Sequence, residues 1–432
     1  MILVYSSATS ARLQYIVHFI FKIILGVDFR ITTDVSEFET YPGPKINYSH
    51  HPFQTGINIT PLQLLFEKGV KNQNYKFPDL LGSFTDDSFS GDIPDLLTSS
   101  FRMLSRYEEY LPFREDEHGR FEADQSLAYV SGILQKPAID IWAMQLKNLI
   151  QKRYPEFTFP ERKYKYMSTI DIDNAYAFRG KGLIRTLGAF GRSLLKGDMP
   201  NFNKRMSVLK GREKDPFDTY DMLNTIQKEF GINNLYFFLV GEFDKNDRNL
   251  SVHHPLYKTL IRDISEKYPI GIHPSYASQD DSGKVKLEIS ALARVAHSDI
   301  VRSRQHFLRM KLPITYRVLI ENEIREDYSM GYASSTGFRA GTCTPFFFYD
   351  LQDEQTTPLE IFPFAVMDAT LRSYMKISPE KAISKIQPLI DEVKAVNGTF
   401  ISLWHNESLS NIFPWVGWQN VYHEMVRIAS KQ

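Results

Sequence analysis

The sequence predicts an α/β protein with two domains, the second of which is a barrel of alternating strands and helices. Three observations predict this architecture. The 432 residues exceed the size of one ordinary domain. Beyond residue 164, about seven short apolar runs alternate with helical segments, which indicates a parallel sheet, and over this length a barrel is its natural closure. Aspartate, histidine and arginine residues follow those runs, at the rim where α/β barrels carry their chemistry.

The composition is that of a globular protein, with 43% hydrophobic residues. Lysine plus arginine and aspartate plus glutamate each number 51, and this neutral balance argues against a nucleic-acid partner. Residues 179–214 are locally basic, and we expect a solvated loop or helix face there. The one cysteine, Cys343, excludes an intrachain disulfide. Because the apolar run Phe19–Leu25 is short and contains Lys22, we expect no signal peptide, no membrane span and a cytoplasmic location.

The first part of the chain has the pattern of a small α/β layer. Ile2–Tyr5 is a predicted strand, and the helix after it is capped by Thr9 or Ser10 and runs to Leu25. Further strands are predicted at Phe29–Thr32, Lys45–Tyr48 and Gly56–Ile59, and helices at Ile93–Tyr110 and Ala138–Ile150. Tyr154–Pro160 contains prolines and has no helical period, so we expect an N-terminal domain over 1–160 and a barrel over 161–432.

Strands and helices alternate throughout the second part. The predicted strands are Lys165–Ile170, Asn234–Val240, Pro269–Ile272, Ile300–Ser303, Ile324–Asp327, Leu359–Val366 and Thr399–Leu403. The predicted helices between them include Thr219–Phe230, Leu256–Lys267, Leu287–His297 and Pro379–Val396. We find no internal repeat and no low-complexity tract in the sequence.

Two carboxylates close the first of these strands, in the run TIDIDN (169–174). Asp171 and Asp173 are two residues apart, so on a strand they point to the same face. Two carboxylates held close together do not both ionise easily, and a divalent metal relieves this repulsion. One carboxylate then binds the metal while the other acts as a base towards water. The alternative is a turn, in which aspartate and asparagine are common.

Three further strand ends carry histidine or arginine. His273 follows an apolar strand, and neutral imidazole is a good zinc ligand, although a structural histidine fits equally well. Arg304 and His306 are two residues apart; the arginine is suited to hold a carboxylate and the histidine to complete a metal site, with a helix end as the alternative. His405 follows the last strand and is suited to donate a proton to a leaving group, unless it is a surface-loop histidine.

In this order, the strand-end residues resemble the polysaccharide deacetylase (NodB-homology) superfamily, from about residue 164 to the C-terminus. The runs that carry the resemblance are TIDID (169–173), GIHPSY (271–276), SRQHF (303–307), GFRAGT (337–342) and WHN (404–406). They are similar to a bacterial branch in which an N-terminal domain with a SRYEEY run (105–110) precedes the deacetylase-like domain. The resemblance implies a distorted seven-stranded (β/α) barrel preceded by a smaller α/β domain. It also implies metal-dependent removal of N- or O-acetyl groups from a sugar polymer.

The resemblance assigns roles to five residues. Asp171 matches the catalytic base, Asp173 a metal ligand, and His273 the first histidine of the family's second motif. Arg304 matches the arginine that orients Asp171, and His405 matches the general acid. The implied cofactor is a divalent metal, with zinc favoured over cobalt, nickel, manganese or magnesium.

The sequence departs from the family pattern at one metal ligand. The second motif usually has another histidine four residues after the first, and here that position is Ala277. We expect His306, from the neighbouring strand end, to replace it. The site is then Asp173, His273 and His306, with positions open for water and substrate. If His306 does not replace the ligand, the metal is weak or absent.

Other residues are candidates for lining the site. Arg339 is suited to bind a substrate carboxylate or phosphate, or to pair with a nearby acid. Asp327 and Asp368 each follow a predicted strand and are suited to orient a histidine or an arginine. Most aromatic residues belong to the core, but some are candidate platforms for sugar rings, namely Tyr276, Trp404 and Trp415.

The predicted function is metal-dependent hydrolysis of acetyl groups, with an acetylated sugar polymer or oligosaccharide as the partner. Two other classes stay open. One is a non-catalytic carbohydrate-binding or assembly protein with a degenerate metal site, which the departure at Ala277 favours. The other is a metal-dependent amidase that acts on a non-sugar amide. The sequence predicts neither the acetylated position nor the oligomeric state.

Overall fold

The computed structural model describes residues 1–51, 53–72, 75–77, 93–279 and 281–431. Its strands are β1 (Ile2–Ser6), β2 (Phe29–Thr32), β3 (Lys45–Tyr48), β4 (Ile57–Ile59), β5 (Lys165–Ile172), β6 (Asn234–Phe238), β7 (Ile270–Ile272), β8 (Arg302–Ser303), β9 (Glu326–Asp327), β10 (Phe346–Asp350), β11 (Gln355–Ile361), β12 (Val366–Met367) and β13 (Thr399–His405).

The α-helices pack over these strands. They are α1 (Ala11–Val17), α2 (Val35–Thr40), α3 (Leu96–Leu104), α4 (Leu127–Val130), α5 (Ala138–Arg153), α6 (Leu183–Leu195), α7 (Met199–Leu209), α8 (Tyr220–Phe230), α9 (Pro255–Ser265), α10 (Ser282–Ala296), α11 (Ile314–Glu321), α12 (Pro379–Ala395) and α13 (Trp418–Ala429). Within the described ranges, none of the helices combines the length and the apolar character that a bilayer crossing requires.

The first sheet has four parallel strands in the order β2-β1-β3-β4. Strand β1 is buried along its whole length, as is typical of a central strand in a parallel sheet. The following helix starts after Ser10, whose hydroxyl accepts a hydrogen bond from the N–H of Leu13 (3.0 Å). Beyond Val17 the helix continues as π-helical turns to Ile24. The predicted extent of this helix is confirmed, although its second half is wound more widely than an α-helix.

The second sheet has nine strands in the order β10-β11-β9-β8-β7-β6-β5-β13-β12. Its neighbouring strands are parallel, except that β10 and β11 form an antiparallel hairpin. The predicted α/β class with a parallel sheet is confirmed. The strand count differs from seven because the predicted strand Leu359–Val366 is two strands, β11 and β12, and because β10 lies in a run without a predicted strand. Strand β11 begins with the polar residues Gln355–Thr357, which have no apolar alternation that would predict it.

The register of the second sheet aligns the ends of several strands. Strands β5, β6, β7 and β8 pair so that their last residues are level, namely Ile172, Phe238, Ile272 and Ser303. The next residues after β5, β7 and β8 are Asp173, His273 and Arg304. On the other side of β5, His405 of β13 pairs with Asp171. The register therefore brings the polar residues that follow these strands to one edge of the sheet.

One predicted helix is shorter than expected. The sequence predicts a helix over Ile93–Tyr110, whereas α3 ends at Leu104. Arg106 has a φ of +52°, in the left-handed region, and this conformation ends the helical winding. Tyr107–Tyr110 then forms a separate 3₁₀ turn. The left-handed turn at Arg106 leads into a buried cluster of charged residues.

This cluster joins the first part of the chain to the second sheet. Arg339 donates two hydrogen bonds to Glu109, from Nε to Oε1 (2.9 Å) and from Nη2 to Oε2 (2.6 Å). Arg106 donates to the same carboxylate (2.8 Å) and to the backbone oxygen of Arg339. All three side chains are buried. Burial favours the neutral acid, but Arg339 and Arg106 outweigh it and hold the pKa of Glu109 below its usual value.

Replacing Glu109 tests the importance of this cluster, because it leaves two buried guanidinium groups without their carboxylate. We expect Glu109→Ala to lower the free energy of unfolding by about 3–5 kcal/mol, measured by urea denaturation. The control is Asp124→Ala, which removes one carboxylate from an exposed ion pair with Arg114 and should leave the unfolding midpoint nearly unchanged. Equal midpoint shifts in the two variants would contradict the proposed role of the buried cluster.

Candidate active site

The carboxyl edge of the second sheet borders a cleft of about 490 Å³. Its charged and titratable lining residues are Arg120, Asp171, Asp173, His273, His306, Arg372, His405 and Glu407. Its aromatic lining residues are Phe217, Phe307, Tyr374, Phe413 and Trp415. A cleft that combines acid, base and aromatic side chains in this way is typical of a small-molecule or glycan site.

The carboxylate of Asp173 lies among three imidazole rings. Its Oδ1 is 3.3 Å from Nε2 of His273, and its Oδ2 is 3.4 Å from Nε2 of His306 and 3.7 Å from Nε2 of His405. Ligand atoms of Asp173, His273 and His306 all lie within 4.8 Å of one another. One carboxylate and two imidazoles at this spacing are suited to hold a divalent cation. Ala277 is exposed on a 3₁₀ turn and is not part of this cluster, whereas His306 is.

Two of these histidines are oriented through their other ring nitrogen. Nδ1 of His273 lies 2.5 Å from the backbone oxygen of Arg304, and Nδ1 of His306 lies 2.8 Å from Oδ1 of Asp247. Because both partners are hydrogen-bond acceptors, this bonding pattern assigns the Nδ1 proton to each ring. Nε2 of each ring is then the atom that faces Asp173. A metal-ligating histidine is typically held in this way by a carbonyl or a carboxylate.

The charges of the site also fit a cation. Oδ1 of Asp173 is buried and has no hydrogen-bond partner among the described residues. Burial favours the neutral acid, but the nearby His306 outweighs it and holds the pKa of Asp173 well below its usual value. Burial likewise opposes the charge on His306, yet Asp173 raises the pKa of that imidazole to about 9. A carboxylate in this position needs neighbouring positive charge, which either ring protons or a divalent cation can supply.

The second carboxylate of the pair has a permanently charged partner. Oδ1 of Asp171 accepts a hydrogen bond from Nη1 of Arg304 (2.9 Å), which also donates to the hydroxyl of Thr169 (2.7 Å). Thr169 and Asp171 point to one face of β5, as the two-residue period of a strand requires. Arg304 is fully buried, with its guanidinium 4.6 Å from the centre of the Phe237 ring. Oδ2 of Asp171 lies 3.7 Å from Nε2 of His273.

His405 is held by Asp368. Its Nδ1 lies 2.8 Å from Oδ1 of Asp368, and its backbone N–H donates to Oδ2 of the same carboxylate (2.8 Å). These two contacts fix the ring so that Nε2 faces Asp173. Burial lowers the pKa of His405, but Asp368 raises it by more, so that the pKa lies well above its ordinary value. Asp368 therefore orients a histidine, which is one of the roles that its position after a strand predicts.

Two predicted contact residues lie outside the cleft lining. Arg339 is bound to Glu109 and is buried, which corresponds to the alternative of pairing with an acid. Trp404 is fully buried against Trp418 and Tyr422, so it has no free face for a sugar ring. The prediction of a platform at Trp404 is wrong because neighbours on a strand point to opposite faces: its neighbours in β13 line the cleft, and Trp404 faces the core.

Tyr276 and Asp327 do not line the cleft. Each of them contacts residues that lie behind the cleft lining. The backbone N–H of Tyr276 donates to Oδ1 of Asp247 (2.9 Å), and the ring of Tyr276 lies 3.9 Å from the guanidinium of Arg309. Asp327 is fully buried and accepts a hydrogen bond from the hydroxyl of Ser303 (3.0 Å). This bond joins the ends of β8 and β9. The sequence predicts a histidine or arginine partner for Asp327, and the hydrogen bond goes to a serine instead.

Several residues of the site are absent from the sequence prediction, and three of them are charged residues with identifiable contacts or a shifted pKa. Asp247 lies in the loop after β6, in a polar run without a pattern that distinguishes one aspartate from another. Arg120 belongs to the first part of the chain, yet it lines the cleft and donates to the backbone oxygen of Phe307 (2.7 Å). Glu407 lines the cleft two residues after His405, and burial raises its pKa. For Glu407, its closeness to the WHN run is a signal that could have found it.

Comparisons with known proteins give a family match over the first part of the chain. A model of a family of unknown function, DUF7033, matches residues 2–155. The comparison with curated proteins gives no match.

Several solved structures are similar to this chain. One is a protein from Mycobacterium smegmatis assigned as a polysaccharide deacetylase, with 16% identity, a TM-score of 0.41, and coverage of 64% of this chain and 87% of that one. A 4-alpha-glucanotransferase from Thermococcus litoralis has 13% identity, a TM-score of 0.38, and coverage of 63% and 38%. A polysaccharide deacetylase from Bacillus cereus has 10% identity, a TM-score of 0.29, and coverage of 61% and 88%. Polysaccharide deacetylases, which the sequence motifs resemble, are thus among the similar structures, and the roles of individual residues rest on the geometry of the site.

Asp247 provides a test of the metal site that leaves the ligands themselves in place. Asp247→Asn keeps the shape of the side chain and removes the charge that holds His306. We expect this change to weaken Zn²⁺ binding about 10–100-fold, measured by calorimetric titration of the purified protein. Asp244→Asn alters an exposed carboxylate in the same loop and should leave the affinity unchanged. Wild-type affinity in Asp247→Asn would contradict the role of Asp247 in orienting the ligand.

Proposed function

We propose that this protein is a metal-dependent hydrolase that removes acetyl groups from a polysaccharide or glycan. The observation that carries the proposal is the arrangement of three groups in one cleft. These are the Asp173–His273–His306 cluster, the Asp171 carboxylate held by Arg304, and the His405 ring held by Asp368. Together they supply a metal site, a base and an acid, which are the parts that hydrolysis of an amide or an ester requires.

Asp173, His273 and His306 are the residues that would hold the metal. A donor set of two imidazoles and one carboxylate suits zinc, and three protein ligands leave a position for water and substrate. When bound, a divalent cation would polarise the acetyl carbonyl and lower the pKa of water. The buried Oδ1 of Asp173, which has no hydrogen-bond partner among the described residues, and the two oriented Nε2 atoms support this assignment.

The remaining residues would move the protons. Asp171, with one oxygen bonded to Arg304, keeps its other oxygen free to accept a proton from the attacking water. The water oxygen forms a bond to the acetyl carbon, and the C–N or C–O bond to the sugar then breaks. His405 donates its Nε2 proton to the departing amine or alkoxide, and Asp368 stabilises the protonated ring beforehand. The products are acetate and the deacetylated sugar.

Aromatic residues of the cleft would contact the sugar. Trp415 and Phe413 line it beside Arg372, whose guanidinium lies 4.6 Å from the centre of the Trp415 ring. Phe413 is 90% exposed, so its face is available to a ligand. We therefore assign the platform role to Trp415 and Phe413, and among the sequence candidates only Trp415 keeps it.

We also propose that the second sheet closes into a distorted barrel with seven strand positions. The segment 355–367 runs from β9 to β13: the N–H of Phe362 donates to the oxygen of Asp327 (2.8 Å), and the N–H of Ala365 donates to the oxygen of Ile401 (3.0 Å). Strands β11 and β12 thus share one position between β9 and β13. A flat sheet would separate β5 from β8 by about 14 Å. The contact of 3.4 Å between residues that follow them, Asp173 and His306, supports strong curvature.

Residues 1–160 would form an accessory domain and residues 161–432 the catalytic domain. The family match that ends at residue 155 supports this boundary. The separate four-stranded sheet of the first part supports it as well. Since Arg120 reaches the cleft and bonds to the backbone beside His306, the accessory domain would also form one wall of the site.

The deciding experiment measures acetate release by the zinc-loaded protein from acetylated oligosaccharides and from small acetylated amides. We expect release from one or more of the sugars. Binding of the sugars without release of acetate would instead identify a carbohydrate-binding protein. Release from the small amides alone would identify an amidase that acts on a different substrate class.

Two variants separate the roles of the two carboxylates. Asp171→Asn should lower the rate of acetate release by about 10²–10⁴-fold and keep the zinc content of the wild type, because Asp171 is outside the ligand cluster. His306→Ala should lose both zinc and activity, since it removes a ligand. Zinc content is measured by elemental analysis after dialysis. An Asp171→Asn protein that retains full turnover, or that loses its zinc, would contradict the assignment of Asp171 as the base and not a metal ligand.

A further inference from the structure

The long connection between β5 and α8 presents an apolar helix face to solvent. On α6, five aliphatic side chains are mostly exposed, namely Leu183 (80%), Ile184 (88%), Leu187 (66%), Leu194 (56%) and Leu195 (91%). Because an α-helix advances about 100° per residue, these five positions fall within an arc of about 120°. An exposed leucine is ordinary by itself, but a continuous face of this kind indicates an interaction surface.

The outward direction of this face follows from the packing of the helix surface beside it. Phe190 of α6 lies next to the Leu183 edge of the arc and contacts Phe202 of α7, with ring centres 4.8 Å apart, and Ser193, further round the same side, is buried. The base of the connection is closed by Asp215, which accepts hydrogen bonds from the backbone N–H groups of Ala177, Phe178 and Arg179 (2.7, 2.8 and 3.0 Å). The helix pair α6–α7 is therefore held in place, and the leucine face is the side that no described residue covers.

Positive charge lies on one side of the apolar face. Residues 179–214 contain ten lysines and arginines and two acidic residues, in a chain whose net charge is zero. Arg185, Arg192 and Lys196 are exposed and lie together on one side of α6, about 60–100° beyond the Leu195 edge of the arc. In the ranges that the structure describes, no carboxylate forms a salt bridge with any of these three. Phe243, which is 57% exposed, adds an aromatic ring beside Arg185, with its centre 4.0 Å from the guanidinium.

We propose that α6 docks on the surface of an anionic lipid bilayer. The helix would lie in the plane of the interface, with its leucine face among the acyl chains and its arginines and lysines on the lipid phosphates. Its 13 residues are too few to span the hydrocarbon core. A nucleic acid would satisfy the cations but leave the leucines in water, and a second copy of the chain would bring two basic borders together. An anionic bilayer satisfies both features at once.

The position of α6 in the chain connects this surface to the cleft. Lys181, just before the helix, donates to the side-chain oxygen of Asn174 (2.8 Å), which is the neighbour of Asp173. Docking would thus tether the edge of the sheet that carries Asp173 near the lipid surface. The inference does not depend on the proposed hydrolase activity, because lipid binding requires neither zinc nor turnover.

Co-sedimentation of the full chain with lipid vesicles tests the proposal. We expect binding to phosphatidylcholine vesicles that contain about one third phosphatidylglycerol, much weaker binding to pure phosphatidylcholine, and release by salt. Leu187→Asp should lower the partition coefficient about tenfold or more, and Arg192→Glu about tenfold. The control is Leu287→Asp, which changes an exposed leucine on α10 (70% exposed) and should bind as the wild type does.

Three outcomes would overturn the proposal. These are absence of binding to the anionic vesicles, equal binding to both vesicle types, and unchanged binding in Leu187→Asp. A dimer in sedimentation velocity that Leu187→Asp dissociates, in a protein that does not bind vesicles, would assign the leucine face to a second copy instead. The zinc-site variant His306→Ala should bind vesicles normally, so a failure of the metal site and a failure of the lipid surface are distinguishable.

Discussion

The alignment of strand ends in the second sheet is the constraint on which the candidate site depends. Strands β5, β7 and β8 are each short or end abruptly, and their register places the next residues, Asp173, His273 and Arg304, at one edge. A slip of one residue in β7 would turn His273 to the opposite face and remove it from Asp173. Asp247 and Asp368 act on rings that this register has already brought to the cleft. Backbone pairing therefore places the site residues at the cleft, and the hydrogen bonds of the site fix the orientation of their side chains.

The GFRAGT run has a structural role, because its Arg339 pairs with an acid, which is one of the two alternatives that the sequence left open. Gly337 has a φ of +119°, and a Cβ at this position would lie 2.5 Å from the backbone oxygen of Leu134. The next residue, Phe338, donates its N–H to the same oxygen (2.8 Å), and Arg339 binds Glu109. These contacts join the second sheet to the first part of the chain. The SRYEEY run supplies Glu109, so the two motifs meet in one buried interface.

The sequence predicted the parts of the structure that have a local signal. The apolar runs of β5, β6 and β13 and the cap at Ser10 are of this kind, and so are the polar residues that follow strands. It did not predict β10, because an antiparallel hairpin at the end of a parallel sheet follows no alternation with helices. It also could not identify Asp247, since a buried carboxylate in a polar loop looks like any exposed one. The direction of the Trp404 side chain was predictable, because neighbouring residues on a strand point to opposite faces and His405 points into the cleft.

The two carboxylates that close β5 differ in the kind of cation that faces them. They share one face of the strand, so their difference cannot come from the sequence motif itself. Asp171 is bonded to Arg304, whose charge is permanent, and its need for positive charge is met at every pH of interest. In the described part of the chain, the groups that pair with Asp173 are imidazoles, whose charge depends on protons that a metal can replace. In the proposed mechanism, a metal that enters the cleft would therefore gain most at Asp173, and Asp171 would keep an oxygen to act as the base. The proposed division into ligand and base follows from the placement of one arginine, which reaches β5 from three strands away.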